Sequence, residues 1–290
     1  MLTIALPSSI PVQQVSAFYQ ADVSILQADT VHPAISGNKW FKLYYYLQQA
    51  IRLKKKGIVT FGGAWSNHIA ATAAACAAAG LKCAGIIRGE EPVVYSATLQ
   101  QAKELGMQLQ FVSRQDYKEK AAVNFNNEWL LVPEGGYGTD GMLGAAHILD
   151  YIPHYTHYCC AAGTGTTLAG MIHSAGEGQT ITGISVLKNN HSLGQAVSSL
   201  WRQPPKAAWH ISHDFHFGGY ARYTKALTDF MNRFYTATGI PSDFVYTGKL
   251  FFAVLQLLQQ GYFPAGSRIA ILHSGGLQGN ASLPKGVLTF

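Results

Sequence analysis

Apolar residues along this chain follow two spacings, one typical of helices and one typical of buried strands. After the bend Ser36-Gly37-Asn38, apolar residues recur every three or four positions and predict a helix. The residues on its apolar face are Trp40, Leu43, Tyr44, Leu47 and Ile51. The next apolar run, 57–61, is short and rich in β-branched residues, which is the pattern of a buried parallel strand.

The same two patterns alternate through the rest of the chain. Further strands are predicted at 23–26, 82–87, 107–112, 129–132, 158–162, 180–187 and 268–272. Further helices are predicted at 69–79, 98–105 and 141–151, from the 163–167 loop to 173, and at 223–238 and 249–260. This alternation predicts an α/β architecture with parallel sheets, in two units that meet near 140–155.

Length and composition favour a globular protein with a large core. A chain of 290 residues suffices for about two domains of ~150 residues. An apolar fraction of 48% with only 12% charged residues argues against disorder. The net charge is +6, but the tightest basic run, Lys54-Lys55-Lys56, lies at the predicted end of the first helix, where cations suit the helix dipole. No nucleic-acid partner is predicted, because basic and aromatic residues do not alternate along one face.

The cysteines and the apolar runs bear on the cellular compartment. The four cysteines are Cys76, Cys83, Cys159 and Cys160. They form no C-x-x-C pair, and small buried thiols of this kind are typical of a reducing compartment. Met1-Leu2-Thr3 lacks the basic start of a secretion signal, and the longest apolar run, 69–80, is too short and alanine-rich to span a membrane. A cytoplasmic protein without a membrane partner is predicted.

The loop 163–167 has the sharpest binding signal in the chain. Its sequence is Gly163-Thr164-Gly165-Thr166-Thr167, between a predicted strand and a predicted helix. Glycines let backbone N–H groups approach an anion, threonines add hydroxyl donors, and the helix start adds partial positive charge. No Gly-Lys-Ser/Thr of a Walker motif follows, and Leu168 stands where a dinucleotide fingerprint has its third glycine. A phosphate-binding loop is favoured over a purely structural glycine turn.

Other loops carry weaker signals. Ser66-Asn67-His68 starts a helix, so it is either an ordinary N-cap or a second anion site, and the sequence leaves both open. Ser274 follows the last predicted strand, where ligands of parallel sheets gather. Lys39 lies where a bend enters a helix; a lysine held there can have a lowered pKa and attack a carbonyl, although most lysines are simply solvated.

Histidines recur every three residues at His210, His213 and His216, with Asp214 among them. This spacing raises the possibility of a metal site. No helix is predicted there to bring these side chains together, so surface or interface histidines are favoured and no metal is predicted.

Together, these segments resemble the pyridoxal-phosphate (PLP) enzymes of the D-cysteine desulfhydrase and 1-aminocyclopropane-1-carboxylate deaminase family. The matching segments are SGNKWFKL (36–43), GGAWSNH (62–68), AAGTGTTLAG (161–170), GGY (218–220), VYTGK (245–249) and HSGG (273–276). They follow the family's order over nearly the whole chain. The resemblance implies PLP fold type II, which is tryptophan-synthase-β-like and has two three-layer α/β domains with parallel sheets. A larger PLP-binding domain (1–43 and 145–290) and a smaller α/β domain (44–144) are expected, as are a small amino-acid substrate and a homodimer.

The resemblance also implies roles for individual residues toward the cofactor. Lys39 would hold pyridoxal 5'-phosphate as a Schiff base and then move the α-proton of the substrate. The phosphate would be held by Lys42, Gly163, Thr164, Gly165, Thr166 and Thr167. Asn67 would hydrogen-bond the phenolate oxygen of the ring, Thr247 would face the pyridine nitrogen, and Ser274 would be a further cofactor contact.

The remaining assignments concern the substrate and the reaction. Ser66 would bind the substrate carboxylate, and Tyr220 and Tyr246 would line the pocket near the departing group. In the segment that matches 245–249, cyclopropane deaminases have a sequence like Val-Tyr-Glu-Gly-Lys. This chain has Thr247 in place of the glutamate. A hydroxyl cannot hold a protonated pyridine, so the weaker electron sink favours β-elimination of the D-cysteine desulfhydrase type, giving pyruvate, ammonia and sulfide. The alternatives are a cyclopropane deaminase, a PLP-binding homologue without activity and, more distantly, a nucleotide-binding oxidoreductase.

Overall fold

Two separate sets of short apolar strands form the framework, which a computed structural model describes over residues 5–119 and 126–290. The strands are β1 (Val12–Gln14), β2 (Val23–Leu26), β3 (Gly57–Gly62), β4 (Lys82–Arg88), β5 (Met107–Val112), β6 (Trp129–Val132), β7 (His157–Ala162), β8 (Thr180–Ser185), β9 (Ala208–Ser212) and β10 (Ile269–Leu272). The helices are α1 (Ser16–Tyr19), α2 (Asn38–Arg52), α3 (Asn67–Ala79), α4 (Ala97–Glu104), α5 (Arg114–Glu119), α6 (Thr139–Ala146), α7 (Thr166–Ser174), α8 (Leu193–Ser198), α9 (Lys225–Thr238) and α10 (Thr247–Gln259).

The strands pair into one six-stranded and one four-stranded sheet. The larger sheet has the order β1-β2-β10-β7-β8-β9, and the smaller has the order β5-β4-β3-β6. All neighbouring strands are parallel except β1 and β2, which are antiparallel. Every residue of β3 is buried, as expected for a central parallel strand. The parallel arrangement brings the carboxyl ends of the strands to one edge of each sheet, and this edge carries the loops predicted to bind ligands.

Helix α2 connects the two sheets, because its residues enter both cores. Phe41 packs into the core beneath the larger sheet, while Leu43 and Leu47 pack into the core of the smaller sheet. The predicted apolar face is therefore only partly correct: Ile51 is 51% exposed, and Phe41, which lies off that face, is fully buried. A helix that packs on two sides needs apolar residues on more than one stripe.

The predicted α/β class with parallel sheets holds, whereas two features of the larger sheet were missed. Strand β1 has only three residues, and β9 lies in the histidine-containing segment, for which no helix was predicted and no strand was identified. The predicted helix 141–151 is divided into α6 and a 3₁₀ turn, His147–Tyr151. The expected domain limits at 43/44 and 144/145 fall inside α2 and α6, and the division into domains stays a prediction.

The structure also bears on the predictions that the cysteines are buried and that no segment spans a membrane. All four cysteines are buried and free, as predicted. Within the described residues, no helix has both the length and the apolar character needed to cross a bilayer. Met1, Leu2 and Thr3, on which the secretion-signal expectation depends, lie outside the described residues.

The contact between α2 and α6 gives a test of the packing. Gly144 has no room for a side chain, because an added Cβ would lie 2.0 Å from the carbonyl oxygen of Phe41. We expect Gly144→Ala to lower the free energy of unfolding by about 1–3 kcal/mol, measured by urea denaturation. The matched control is Gly194→Ala in α8, where the nearest other atom lies 4.0 Å away and no loss is expected. Equal stability of the two variants would contradict this close packing.

Candidate active site

A cavity of about 340 Å³ opens where the carboxyl ends of strands from both sheets face each other. Its size is within the range usual for small-molecule sites. The predicted site residues that line it are Lys39, Lys42, Ser66, Asn67, Gly163, Thr164, Gly165, Thr166, Thr167, Tyr220, Tyr246 and Ser274. Thr247 is the one predicted site residue that is not among the residues lining the cavity.

The position of Lys39 follows from a close backbone contact just before it. Gly37 has φ +69°, and an added Cβ would lie 1.9 Å from the carbonyl oxygen of Ser274, so only glycine fits there. The next residue, Asn38, donates its backbone N–H to the same oxygen at 3.2 Å. Helix α2 therefore starts directly against the loop that follows β10, and its second residue projects into the cavity.

The amine of Lys39 is held by a side chain that the sequence analysis treated only as part of a bend. Lys39 Nζ donates to Asn38 Oδ1 at 3.0 Å, and Asn38 Nδ2 donates to Thr167 Oγ1 at 2.8 Å. Asn38 thus connects the lysine to the 163–167 loop. Burial lowers the pKa of Lys39 to about 8, although the carboxylate of Asp243 acts in the opposite direction.

A second lysine lies deeper in the same cavity. Lys42 is only 3% exposed and comes three residues after Lys39, on the same side of α2. Burial, and then the charge of Lys39, hold the pKa of Lys42 well below its usual range. Among the described residues, neither lysine forms an ion pair with a carboxylate within 4.0 Å. A buried amine and a half-buried one, with no acidic partner at contact distance, favour an anionic ligand.

The 163–167 loop turns sharply at Gly165 as it enters α7. Gly165 has φ +85° and precedes α7, and a Cβ there would lie 2.6 Å from Val197 Cγ2. The hydroxyls of Thr164 and Thr166 lie 3.1 Å apart, and Thr166 is fully buried. Hydroxyl groups and the start of a nine-residue helix therefore line the same cavity as Lys42.

The Ser66-Asn67-His68 segment is an N-cap that also lines the cavity, and its use as an anion site stays a prediction. Ser66 caps α3 by accepting the N–H of Ile69 at 3.4 Å, and the same serine lines the cavity. Thr60 donates its hydroxyl proton to Val132 O at 2.7 Å, so its oxygen accepts from His68 Nε2 at 2.8 Å. Burial and the two nearby lysines keep the pKa of His68 well below its usual range, so this imidazole is neutral.

Two tyrosines near the start of α10 line the same cavity. The rings of Tyr220 and Tyr246 are 6.3 Å apart in an edge-to-face arrangement. A Cβ on Gly163 would lie 3.3 Å from the ring of Tyr246, so this tyrosine packs directly on the 163–167 loop. Desolvation raises the pKa of the half-buried Tyr246 well above its usual value and raises that of Tyr220, which is 43% exposed, in the same direction, so both hydroxyls stay protonated at neutral pH.

Thr247 faces away from these groups. Its hydroxyl donates to Asp243 Oδ1 at 2.8 Å and accepts the backbone N–H of Asp243 at 2.8 Å. The other Asp243 oxygen accepts the N–H groups of Val245 and Tyr246, so this buried aspartate caps α10. The expected contact between Thr247 and a pyridine nitrogen therefore finds no support in the position of this hydroxyl, whereas Ser274 does line the cavity.

The cavity also contains charged residues that the sequence analysis did not select. Arg88 is the last residue of β4, and Glu134 follows β6 by two positions. An added Cβ on Gly63 would lie 3.5 Å from an Arg88 guanidinium nitrogen, which places this cation beside the loop that leads to Ser66. Both residues occupy strand ends, so applying the strand-end rule to every predicted strand would have found them.

The three histidines of 210–216 lie in different environments. His210 contacts the ring of Tyr262, and His213 contacts the ring of His191, each at 6.0 Å between centroids. His216 Nδ1 accepts the backbone N–H of Gly218 at 2.9 Å. Across residues 5–119 and 126–290, no group of three His, Cys, Asp or Glu side chains is arranged to hold a metal ion.

Comparisons with known proteins agree with this geometry. The family model for pyridoxal-phosphate-dependent enzymes matches residues 8–275, and the chain belongs to this family. It is 25% identical to a putative 1-aminocyclopropane-1-carboxylate deaminase of Pyrococcus furiosus, over 98% of this chain and 94% of the relative. It is 26% identical to a bifunctional D-cysteine desulfhydrase/1-aminocyclopropane-1-carboxylate deaminase of Arabidopsis thaliana, a mitochondrial protein, over 84% of this chain and 70% of the relative.

A solved structure gives the same result at the level of the fold. The crystal structure of an ACC deaminase homologue superposes with a TM-score of 0.82 at 25% identity, covering 97% of this chain and 92% of the other. The predicted resemblance and the predicted PLP type II fold are confirmed. The prediction of a PLP-dependent lyase or deaminase is also confirmed at the level of the reaction class.

The residues that line the cavity fit pyridoxal 5'-phosphate. The cofactor has an anionic phosphate, and the buried Lys42 lines the same cavity as a loop with threonine hydroxyls and a helix start. It also has an aldehyde that needs a neutral amine, and burial lowers the pKa of Lys39 toward neutrality. Lys42 and the 163–167 loop would hold the phosphate, and Lys39 would attach the aldehyde.

The phosphate assignment of Lys42 can be tested by comparing two forms of the cofactor. Lys42→Met removes one charge-assisted hydrogen bond, worth about 1.5–3 kcal/mol, so the Kd for pyridoxal 5'-phosphate should rise about 10–100-fold. Binding of pyridoxal, which lacks the phosphate, should change little. Lys82→Met, at an exposed position, is the matched control for loss of a lysine. An equal loss for both forms would show that Lys42 does not contact the phosphate.

Proposed function

We propose that this enzyme eliminates the β-substituent of a small amino acid, with D-cysteine as the favoured substrate and pyruvate, ammonia and sulfide as products. The observation that carries this choice is the scarcity of acidic groups around the cofactor. Position 247 is a threonine whose hydroxyl is engaged with Asp243, and Glu134 is the one carboxylate among the described residues that line the cavity. A cofactor ring without an acidic partner is a weaker electron sink and favours elimination of a good leaving group such as thiolate.

Lys39 is the proposed acid–base residue. When bound, pyridoxal phosphate supplies an aldehyde that captures amines and a ring that stabilises negative charge on the adjacent carbon. Lys39 Nζ, which lines the cavity, would take the α-proton of a substrate bound there. An amine with a pKa of about 8 is suited to this role, because about a tenth of it is unprotonated at pH 7 and about half at pH 8.

The other assignments concern binding of the substrate. The Ser66 hydroxyl and the start of α3 are proposed to bind the α-carboxylate, and the nearby Arg88 adds a positive charge on that side. Tyr220 and Tyr246 line the cavity with protonated hydroxyls, which supports a role as hydrogen-bond donors to the departing thiolate. The homodimer and the cytoplasmic location that were expected stay predictions.

A 1-aminocyclopropane-1-carboxylate deaminase is the second candidate. The names of the archaeal and plant relatives favour it at least as well as D-cysteine elimination. The two reactions differ in what they demand of the site, since opening a cyclopropane ring needs the stronger electron sink.

Product analysis distinguishes these candidates. With D-cysteine, the purified enzyme should release equal amounts of pyruvate, ammonia and sulfide, because one elimination yields all three. Lys39→Ala should release none of them, and L-cysteine tests the stereochemistry. Turnover of the cyclopropane amino acid without turnover of D-cysteine or any β-substituted alanine would refute the proposed elimination. Absence of keto-acid release from every D- and L-amino acid would indicate the non-catalytic homologue.

The pKa of Lys39 predicts how cofactor capture depends on pH. Because burial lowers the pKa of this amine from 10.5 to about 8, it is protonated and unreactive below that value and nucleophilic above it. The rate at which cofactor-free protein attaches pyridoxal phosphate covalently should therefore rise with pH, with a midpoint near 8. Stopped-flow absorbance gives the rate, and borohydride reduction followed by peptide mapping identifies the lysine. A midpoint near 10.5, or labelling that survives in Lys39→Ala, contradicts the assignment.

A further inference from the structure

Lys249 is a buried lysine to which neither the mechanism nor the resemblance gives a role. It is the third residue of α10 and is fully buried. Its Nζ donates to two backbone carbonyls, at 2.9 Å to His216 O and at 2.7 Å to Gly219 O. Burial lowers the pKa of Lys249 to about 8, and the negative charge of Asp243 opposes this shift. The buried amine therefore contacts a single loop, residues 216–219.

Those two carbonyls belong to two consecutive turns. His216 O also accepts the N–H of Gly219 at 3.0 Å, and Gly219 O also accepts the N–H of Arg222 at 3.2 Å. Each carbonyl is therefore the acceptor that closes a four-residue turn, 216–219 and then 219–222. Because Lys249 Nζ contacts both carbonyls, it fixes the two turns relative to each other.

The two turns have an unfavourable backbone conformation. Within them, φ is positive at Phe217 (51°), Gly218 (92°), Gly219 (116°) and Ala221 (52°). Positive φ is unfavourable for the non-glycine residues, and such strain persists only where surrounding contacts hold it. The strained backbone surrounds Tyr220, whose side chain lines the cavity and packs against Tyr246.

We propose that Lys249 is a positioning residue, which holds Tyr220 in the active site by joining the two strained turns on either side of it. Tyr246 immediately precedes α10 and Lys249 lies in its first turn, so the start of this one helix positions both cavity tyrosines. The inference rests on the proposed function only in taking Tyr220 to act during turnover.

Hydrogen exchange of the cofactor-bound protein tests the positioning directly and needs no substrate. In Lys249→Met, which keeps the apolar stem and removes the donors, the amides of Gly219 and Arg222 should exchange about 10-fold faster or more. The matched control is Lys225→Met in α9, an exposed lysine paired with Asp229, where exchange of these two amides should not change. Unchanged exchange in a folded Lys249→Met protein would overturn the proposal, whatever the substrate proves to be.

A double-mutant cycle then tests the connection with Tyr220. With any amino acid that the enzyme turns over, Lys249→Met and Tyr220→Phe should each lower kcat. The double variant should then be no slower than the slower of the two single variants. Independent, multiplying losses would mean that Lys249 acts on stability alone and would overturn the proposal. If Lys249→Met does not fold, Lys249→Gln replaces it. The glutamine side chain is shorter, although its amide is still a hydrogen-bond donor. Exchange at the amides of Gly219 and Arg222 should therefore still be faster than in the unmodified protein.

Discussion

The close approach of two backbone segments, at Gly37 and at Ser274, is the constraint on which the site depends. A side chain at position 37 would overlap the Ser274 carbonyl, and that same oxygen accepts the N–H of Asn38. Helix α2 can therefore start in only one place, directly against the end of the last strand. Asn38 then links Lys39 to Thr167, so segments separated by more than 100 residues are held in one arrangement.

Charge within the cavity follows from this arrangement and explains why the cofactor fits. The start of α2 carries Lys39 and Lys42 into a buried space where no carboxylate lies within ion-pair distance of either amine among the described residues. Burying cations in this way is costly unless an anion compensates for them. The phosphate of the cofactor would supply that anion, so binding should stabilise the folded protein as well as equip it for chemistry. The same burial lowers the pKa of Lys39, which is what a nucleophilic amine needs.

The agreement between prediction and structure differs with the kind of element. Central parallel strands such as β3 were found because strands buried on both faces give unbroken apolar runs. The edge strands β1 and β9 were missed, since β1 is very short and β9 mixes exposed and half-buried residues. Ile51 fits the helical spacing but is exposed, because the spacing does not show where the neighbouring sheet ends. Arg88 and Glu134 escaped notice because no local motif marks an isolated charged residue at a strand end.

What the sequence determined by itself was the α/β class, the order of the loops and, through its motifs, the family and the cofactor. Local patterns of a few residues determine these properties. Such patterns can be recognised without knowledge of the fold. The tertiary structure alone decided that the Thr247 hydroxyl turns to Asp243 and that Lys249 reaches the carbonyls of a loop about 30 residues earlier. The partner of a polar side chain depends on which distant segments pack together, and spacing along the chain does not encode that choice.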